Sequence, residues 1–475
     1  MSAQSAHRQI RLGLLTNPPG NGSRGQIRPG DVRHPGRVLD HYTHLARTAP
    51  SPRDPSYTLD HEGSSNMRII TSPPPSSLSR LITRPLEASG FGPPPASLPP
   101  DAIRLVGGVP ADEALPVNEL AAAFAVALAS PPTGARALQY SVAPGIATLR
   151  EWIAGRESDE SGVVDPDRVV VTNGALHGLS LVFAAVLDPG DLVAVESPTF
   201  PVALRVLDHY GAQLLPVPNT GGRLDLDVFE SHLQAGRIPK LFYVIPDFHN
   251  PTGTTLAADD RSRLVALAER YGFVVVSDNP YREIRFRGTA VPDFPLDSDR
   301  VVRVNTFSKT LGPGLRLGWA VVPTWLQAGL LRLRANLDQH ASLLTQSAVA
   351  HLLGRPGLFD GIVANARTLY RERADLLADV LTAEAGDLVS IPQAEGGIFA
   401  WATVTDPDID LADVRAAANA LGADFSSGRY FDPAASGLYA RSLRLGFTNQ
   451  SEHNLRLGAQ RIARAVREVH SAPRA

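Results

Sequence analysis

The sequence predicts an α/β fold, and three observations carry the expectation. Six short runs are apolar on both faces, amphipathic stretches of helical period lie between several of them, and polar turn sequences follow the runs at their carboxyl ends. The runs are Arg168-Val-Val-Val171, Leu192-Val-Ala-Val195, Leu241-Phe-Tyr-Val-Ile245, Phe273-Val-Val-Val276, Val301-Val-Arg-Val304 and Leu317-Gly-Trp-Ala-Val-Val322. Strands without apolar/polar alternation need cover on both faces, which implies a largely parallel sheet between helical layers. In such sheets ligands bind beyond the carboxyl ends of the strands.

Residues 1–100 contrast with this pattern. Asn17-Pro18-Pro19-Gly20, Ser72-Pro73-Pro74-Pro75 and Gly92-Pro93-Pro94-Pro95 interrupt any apolar periodicity, so the segment is expected to lack a core of its own and to be partly disordered or arm-like. Five of the 13 histidines fall here (His7, His34, His41, His44 and His61), at irregular spacing that argues for solvation and against a metal site. Met67 is the only methionine besides Met1, so translation starting at Met67 stays open. From about 101 the strand–helix alternation begins. Asp259 to Tyr271, with Leu264, Leu267 and Ala268 on one face, is one of the helices. Beyond about 325 come long helical stretches, then a smaller unit with a Gly396-Gly397 turn and a last strand at Ser442-Leu-Arg-Leu-Gly446.

Composition narrows the function. At 475 residues, 43% hydrophobic and 20% charged, with a net charge of −3, the chain describes a soluble multidomain protein without an electrostatic footprint for nucleic acid or anionic membrane. It has no cysteine, which excludes disulfides, thiolate metal sites and a cysteine nucleophile. No stretch reaches the ~18 apolar residues of a membrane span. A cytoplasmic enzyme is expected.

Lysine is the informative residue. Of 45 Lys+Arg residues only Lys240 and Lys309 are lysine, so the chain otherwise uses arginine as its solvated cation. Arginine cannot lose its proton and attack a carbonyl as a primary amine; lysine can. Lys240, beside Pro239, reads as a surface residue. Lys309, between an apolar strand and a Gly-Pro-Gly loop, reads as a Schiff-base residue. Three further features follow other strands. Thr172-Asn173-Gly174-Ala175-Leu176-His177-Gly178 opens a helix whose free N–H groups suit an anion, although such turns are as often only turns. In Pro246-Asp247-Phe248-His249-Asn250-Pro251-Thr252-Gly253 the Asn-Pro-Thr-Gly stretch suits a tight turn alone, or an asparagine held rigid by proline that presents its amide to a ligand oxygen. Ser277-Asp278-Asn279-Pro280-Tyr281 puts a carboxylate at the end of a buried strand, which is costly unless a cation pairs with it. Together these residue types suit pyridoxal 5′-phosphate: a carboxylate for the pyridine nitrogen, a lysine for the aldehyde, an amide and a phenol for the ring oxygen, and amides with an arginine for the phosphate.

The order Asn250-Pro251-Thr252-Gly253, Asp278-Asn279-Pro280-Tyr281 and Ser308-Lys309-Thr310-Leu311-Gly312-Pro313-Gly314-Leu315-Arg316-Leu317-Gly318-Trp319 resembles the fold-type I, class I/II PLP-dependent aminotransferases. The resemblance is nearest to 2-aminoadipate and kynurenine aminotransferases and to the aminotransferase domain of MocR-type regulators, and it covers roughly residues 101–470. Gly107-Gly108-Val109-Pro110, Leu138-Gln139-Tyr140, Glu196-Ser197-Pro198-Thr199-Phe200 and Glu395-Gly396-Gly397-Ile398-Phe399 are similar to further family segments. The resemblance implies a mainly parallel seven-stranded sheet in a large domain (151–345), a smaller α+β domain (346–475), and a segment (101–150) shared between the small domain and a homodimer interface. It implies that Lys309 holds the cofactor as a Schiff base and moves the α-proton, that Asp278 pairs with the pyridine nitrogen, and that Asn250 and Tyr281 contact the ring oxygen. It gives Gly174, Ala175, Leu176, Thr306, Ser308 and Arg316 to the phosphate, Phe200 to the ring face, Arg444 to the substrate α-carboxylate with Gly108 and Asn250 nearby, and Tyr140 to the phosphate of a neighbouring subunit.

The chain departs from the family at three places. Gly174-Ala175-Leu176-His177 stands where Gly-Ser-Gln-Gln is usual, so a phosphate-binding hydroxyl is lost while backbone amides remain, and His177 becomes an open candidate contact. Phe200 stands where Tyr is frequent, and Arg429 occupies a position commonly held by small residues. The expected reaction is transamination between an α-amino acid and a 2-oxo acid, with 2-oxoglutarate the expected acceptor. The alternative is elimination, γ-substitution, cyclisation or oxidation on the same cofactor. A DNA-binding regulator is not expected, because residues 1–100 are too rich in Pro, Gly and Ser for a compact helix-turn-helix unit.

Overall fold

The computed structural model describes residues 98–159, 162–295 and 297–472. The expectations for residues 1–97, including the five histidines and Met67, lie outside the described residues.

The six apolar runs all form strands of one sheet: β1 (Val169–Thr172), β2 (Leu192–Ser197), β5 (Leu241–Val244), β6 (Val274–Asp278), β7 (Val301–Thr306) and β8 (Gly318–Val321). Two more strands complete it, β3 (Gln213–Thr220) and the two-residue β4 (Arg223–Leu224), giving the order β1-β8-β7-β6-β5-β2-β3-β4. The expected seven strands are therefore extended by a short eighth. β3 escaped the sequence reading because Pro216 and Pro218 interrupt its apolar run. The prolines are tolerated near the sheet edge, where only Asn219 and Thr220 pair outward with β4. β8 runs antiparallel to both its neighbours, β1 and β7, whereas β7, β6, β5, β2 and β3 run parallel.

The absence of alternation in the strands has a direct cause. Val169 and Val171 pack into one core on one face of the sheet, and Val170 into a second core on the other. Val275 and Val276 divide in the same way. Each such fully buried side chain is stabilised by roughly 1.5–3 kcal/mol over an exposed one. Helices α1 (Ala147–Glu157), α2 (Ala175–Val186), α3 (Pro201–Asp208), α4 (Ala258–Tyr271) and α5 (Thr324–Leu337) are among those that supply the cover. α4 buries Leu264, Leu267 and Ala268, as its periodicity predicts, and stops at Gly272, whose φ of +86° suits glycine.

A third core gathers around α6 (Leu358–Ala385), α7 (Glu452–Ser471) and a second sheet. In that sheet β9 (Phe399–Val404) pairs antiparallel with β10 (Ser442–Gly446), flanked by Val389–Ser390 and Ser426–Ser427. Residues 103–104 add to this region by pairing parallel with Ala423 and Asp424, and Leu105, Ala111 and Ala114 join its core. Further along, Ala123, Ala127 and Leu149 pack instead on the large sheet. The segment after 101 thus packs into both cores. Among the described residues no helix is long and apolar enough to cross a membrane.

Candidate active site

The sheet brings the predicted residues to one end because its parallel strands finish there. β1 ends at Thr172 and hands over to Gly174-Ala175-Leu176; β2 leads to Phe200, β5 to Asn250, β6 to Asp278, and β7 through Thr306 to Ser308 and Lys309. β8, running the other way, begins at the same end, two residues after Arg316. Ala175, Leu176, Phe200, Asn250, Asp278, Tyr281, Thr306, Ser308, Lys309 and Arg316 all line one cavity of about 160 Å³, together with Leu179, Ile245 and Pro280.

Asp278 is buried, and Tyr243 of β5 donates its hydroxyl proton to Oδ2 at 2.8 Å. Its other oxygen, Oδ1, has no hydrogen-bond partner among the described residues. Burial raises the carboxyl to about 6, against the lowering effects of the Tyr243 hydrogen bond and the charge of Lys309; Glu196 adds to the rise. Lys309 Nζ donates to Gly108 O at 2.6 Å and lies 5.9 Å from the centre of the Tyr281 ring. Burial, followed by the positive charge of Arg444, lowers this amine to about 8, although Asp278 pulls in the opposite direction. A lysine so lowered holds a sizeable neutral fraction near neutral pH, as a nucleophilic amine requires.

At the other end of the cavity α2 starts at Ala175, capped by Gly174 at φ +89°. The first intrahelical bond of the turn is Gly178 N–H to Gly174 O, so the amides of Ala175 and Leu176 precede the helical ladder. Arg316 donates to Asn173 O at 3.1 Å from a left-handed backbone at φ +48°, a conformation that costs a non-glycine residue of order 1 kcal/mol. A Cβ on Gly174 would fall 2.8 Å from the Arg316 guanidinium, so only glycine allows this approach. Thr306 and Ser308 hydroxyls are 2.8 Å apart.

Arg444, on β10, is also buried. It donates to Asn250 Oδ1 and to Val106 O, each at 2.8 Å, and its guanidinium stacks 4.0 Å from the Phe399 ring centre and 4.9 Å from that of Phe431. Burial lowers it to about 9, still charged at neutral pH. Asn250 also bonds Tyr281, whose hydroxyl burial holds well above its ordinary range, so one amide joins the phenol to the guanidinium. Gly108 adjoins this group, since a Cβ there would lie 2.6 Å from the Phe399 ring.

Other predicted residues lie elsewhere. Tyr140 is 80% exposed, outside the cavity, against His340 in an edge-to-face contact. His177 turns away: its Nδ1 accepts from Asn173 N–H at 3.0 Å and its Nε2 lies 3.7 Å from Asp338, so it braces the turn from behind. Arg429 donates to the hydroxyl of its neighbour Tyr430 at an exposed position. In the sequence Tyr243 is indistinguishable in pattern from the other members of its apolar run, Leu241 to Ile245. Its hydroxyl is the available signal, since a buried phenol needs a partner. Nor does the sequence single out the pair beside it: Glu196, which accepts from Asn219 Nδ2 and Ile245 N–H, and His249, whose Nε2 stands 3.3 Å from Glu196 Oε2.

A buried carboxylate with one unpartnered oxygen, a lysine of lowered pKa and an arginine-backed helix start, all at the carboxyl end of a doubly covered sheet, define a pyridoxal-phosphate enzyme of the aminotransferase type. The comparisons agree. Residues 112–462 match the family described as aminotransferase class I and II, and the chain belongs to that family. It is 31% identical to the aromatic-amino-acid aminotransferase 1 of Thermococcus litoralis over 78% of this chain and 88% of that protein. It is 32% identical to the 2-aminoadipate transaminase of Thermus thermophilus over 78% and 91%. Among solved structures, the α-aminoadipate aminotransferase LysN from Thermus thermophilus, complexed with N-(5′-phosphopyridoxyl)-L-leucine, superposes with a TM-score of 0.74 at 30% identity, covering 83% of this chain and 98% of that one. The fold is that of the PLP-dependent aminotransferases, the cofactor is pyridoxal 5′-phosphate, and the activity is transamination between an amino acid and a 2-oxo acid. The alternative of elimination, substitution, cyclisation or oxidation is not favoured.

The cavity residues fit the cofactor. Oδ1 of Asp278 is a buried acceptor left for a donor, and Gly174 opens the space between the helix start and Arg316.

Proposed function

We propose that Lys309 is the amine that holds the cofactor's aldehyde and that its Nζ, when released, moves the proton at the substrate α-carbon. When bound, the cofactor supplies an electron sink for negative charge at that carbon and a carbon that carries the amino group. The observation that supports this reading best is the pairing of Lys309 and the unpartnered Oδ1 of Asp278 in one cavity. Asp278 pairs with the ring nitrogen, and Tyr281 and Asn250 hold the ring oxygen. The amides of Ala175 and Leu176 beyond Gly174, with Thr306, Ser308 and Arg316, hold the phosphate. Phe200 covers a ring face, a contact of about 0.5–1.5 kcal/mol beyond its buried area. Arg444 takes the substrate α-carboxylate through its two parallel N–H groups, beside Gly108.

The assembly belongs to the same proposal. Leu138, Tyr140 and Val142 are exposed at 68%, 80% and 59%, and Tyr140 and Val142 edge an apolar cleft of about 500 Å³ with Val126, Ile146 and Leu343. A second copy covering this face would bring Tyr140 towards its partner's phosphate. The large sheet (151–345) and the C-terminal region (346–475), with residues 101–150 contributing to both, act as two domains, in a cytoplasmic enzyme. Aromatic amino acids and 2-aminoadipate, on which the relatives named above act, are the first donors to test, with 2-oxoglutarate as acceptor.

The test is a half-reaction. Holoenzyme mixed with a donor and no acceptor should convert the absorbance of bound PLP to that of pyridoxamine phosphate, and adding the 2-oxo acid should reverse it. Lys309→Ala should bind PLP and do neither. Retention of full turnover by that variant would sink the assignment.

A further inference from the structure

Beneath the cavity, Tyr243 and Asp278 come from adjacent parallel strands, β5 and β6. Tyr243 is fully buried, and its ring stands edge-on to Phe183 of α2, with centroids 6.2 Å apart and planes at 81°. The packing therefore fixes where the hydroxyl points, and it points at Asp278 Oδ2, 2.8 Å away. Burial and the neighbouring carboxylate keep the phenol far above its ordinary range, so it remains a proton donor across any working pH. Four titratable groups bear on the carboxylate. Tyr243 and Lys309 favour its charged form and Glu196 disfavours it, while Tyr281 is itself held protonated partly by Asp278. Glu196 is tied to Asn219 and Ile245 N–H and has His249 beside it, so its position is as fixed as that of Tyr243.

Both oxygens of Asp278 have a defined place in this arrangement. Oδ2 is occupied from below and Oδ1 is left without a partner among the described residues. We infer that Tyr243 is a positioning residue for the cofactor: its hydroxyl anchors Oδ2, leaves Oδ1 for the pyridine nitrogen and keeps the carboxylate charged for it. The inference rests on the reading of Asp278 given above. Removing the hydroxyl strands Oδ2 as a buried acceptor without a donor, which favours the neutral acid. The neutral acid offers a protonated ring nitrogen no counter-charge.

The experiment is the equilibrium dissociation of PLP from the full-length holoenzyme between pH 5.5 and 9, for wild type, Tyr243→Phe and Asp278→Asn. Phenylalanine keeps the ring packing against Phe183. Tyr243→Phe should bind PLP about threefold more weakly near pH 6.5 and nearly tenfold more weakly at pH 5.5. The gap should close towards pH 9, where Asp278 ionises even without help, so the acid limb moves up by about one pH unit. Asp278→Asn should bind weakly at every pH and not recover. If Tyr243→Phe matches wild type, or is weaker by one factor at every pH, the inference fails and the Asp278 reading stands. If Asp278→Asn itself binds PLP like wild type, the Asp278 reading fails. Should Tyr243→Phe not fold, 3-fluorotyrosine at position 243 decides the matter: its more acidic hydroxyl donates more strongly and should move the limb down, and an unmoved limb overturns the inference.

Discussion

Replacing Arg444 by glutamine should reduce kcat/KM for an amino-acid donor far more than it reduces the stability of the protein. Arg444 is only 2% exposed, between Phe399 and Phe431, with Asn250 Oδ1 and Val106 O as acceptors. On the proposed role, a substrate carboxylate brought there loses its water and takes most of its compensation from this guanidinium. Breaking a buried charge pair by removing one partner costs about 3–5 kcal/mol. At about 1.4 kcal/mol per tenfold, that predicts a loss of roughly 150- to 5,000-fold in kcat/KM. Arg444→Lys keeps the charge and loses the second parallel contact, so it should fall between wild type and glutamine. The assay compares kcat/KM for a donor with that for the amine it would give without its carboxylate. Only the amino acid should suffer, so discrimination between the two should collapse in Arg444→Gln. A loss under threefold, or an equal loss for both, would refute the carboxylate role.

Two other outcomes follow from the same geometry. In the cofactor-free protein Lys309 has a folded value of about 8 against 10.5 unperturbed, so between these pH values the folded state binds fewer protons than the unfolded state and stability rises with pH. Wild type should therefore gain up to about 3 kcal/mol relative to Lys309→Met between pH 8 and 10.5, read by urea denaturation; parallel curves would contradict the lowered amine. Gly318→Ala would place a Cβ 2.7 Å from Asn305 O, 2.9 Å from the Gly174 carbonyl carbon and 3.0 Å from Ala175 N. It should cost about 1–3 kcal/mol in stability and weaken PLP binding by disturbing the phosphate turn, whereas Gly314→Ala, with nothing within 4 Å, should leave both measurements unchanged.

Much of the site could be read from the chain because its residues lie next to the strands that carry them. Asn250, Asp278 and Lys309 each come within a few residues of an apolar run, and such runs betray themselves by composition when both faces are buried. The apolar runs, the lysine in a lysine-poor chain and the helix start after Thr172 are local features, legible from composition and residue order alone. What only the tertiary structure decided depends on which segments become neighbours. β8 inserts antiparallel between β1 and β7, β3 forms despite its prolines, Arg444 reaches Asn250 across 194 positions, and Gly108 O meets Lys309 across 201. Tyr243 shows the difference most plainly. In the sequence it is one apolar residue among five; in the fold, register with β6 sets its hydroxyl under Asp278. Strands buried on both faces show no alternation, so their partners and register are fixed by packing between distant segments and not by a local pattern.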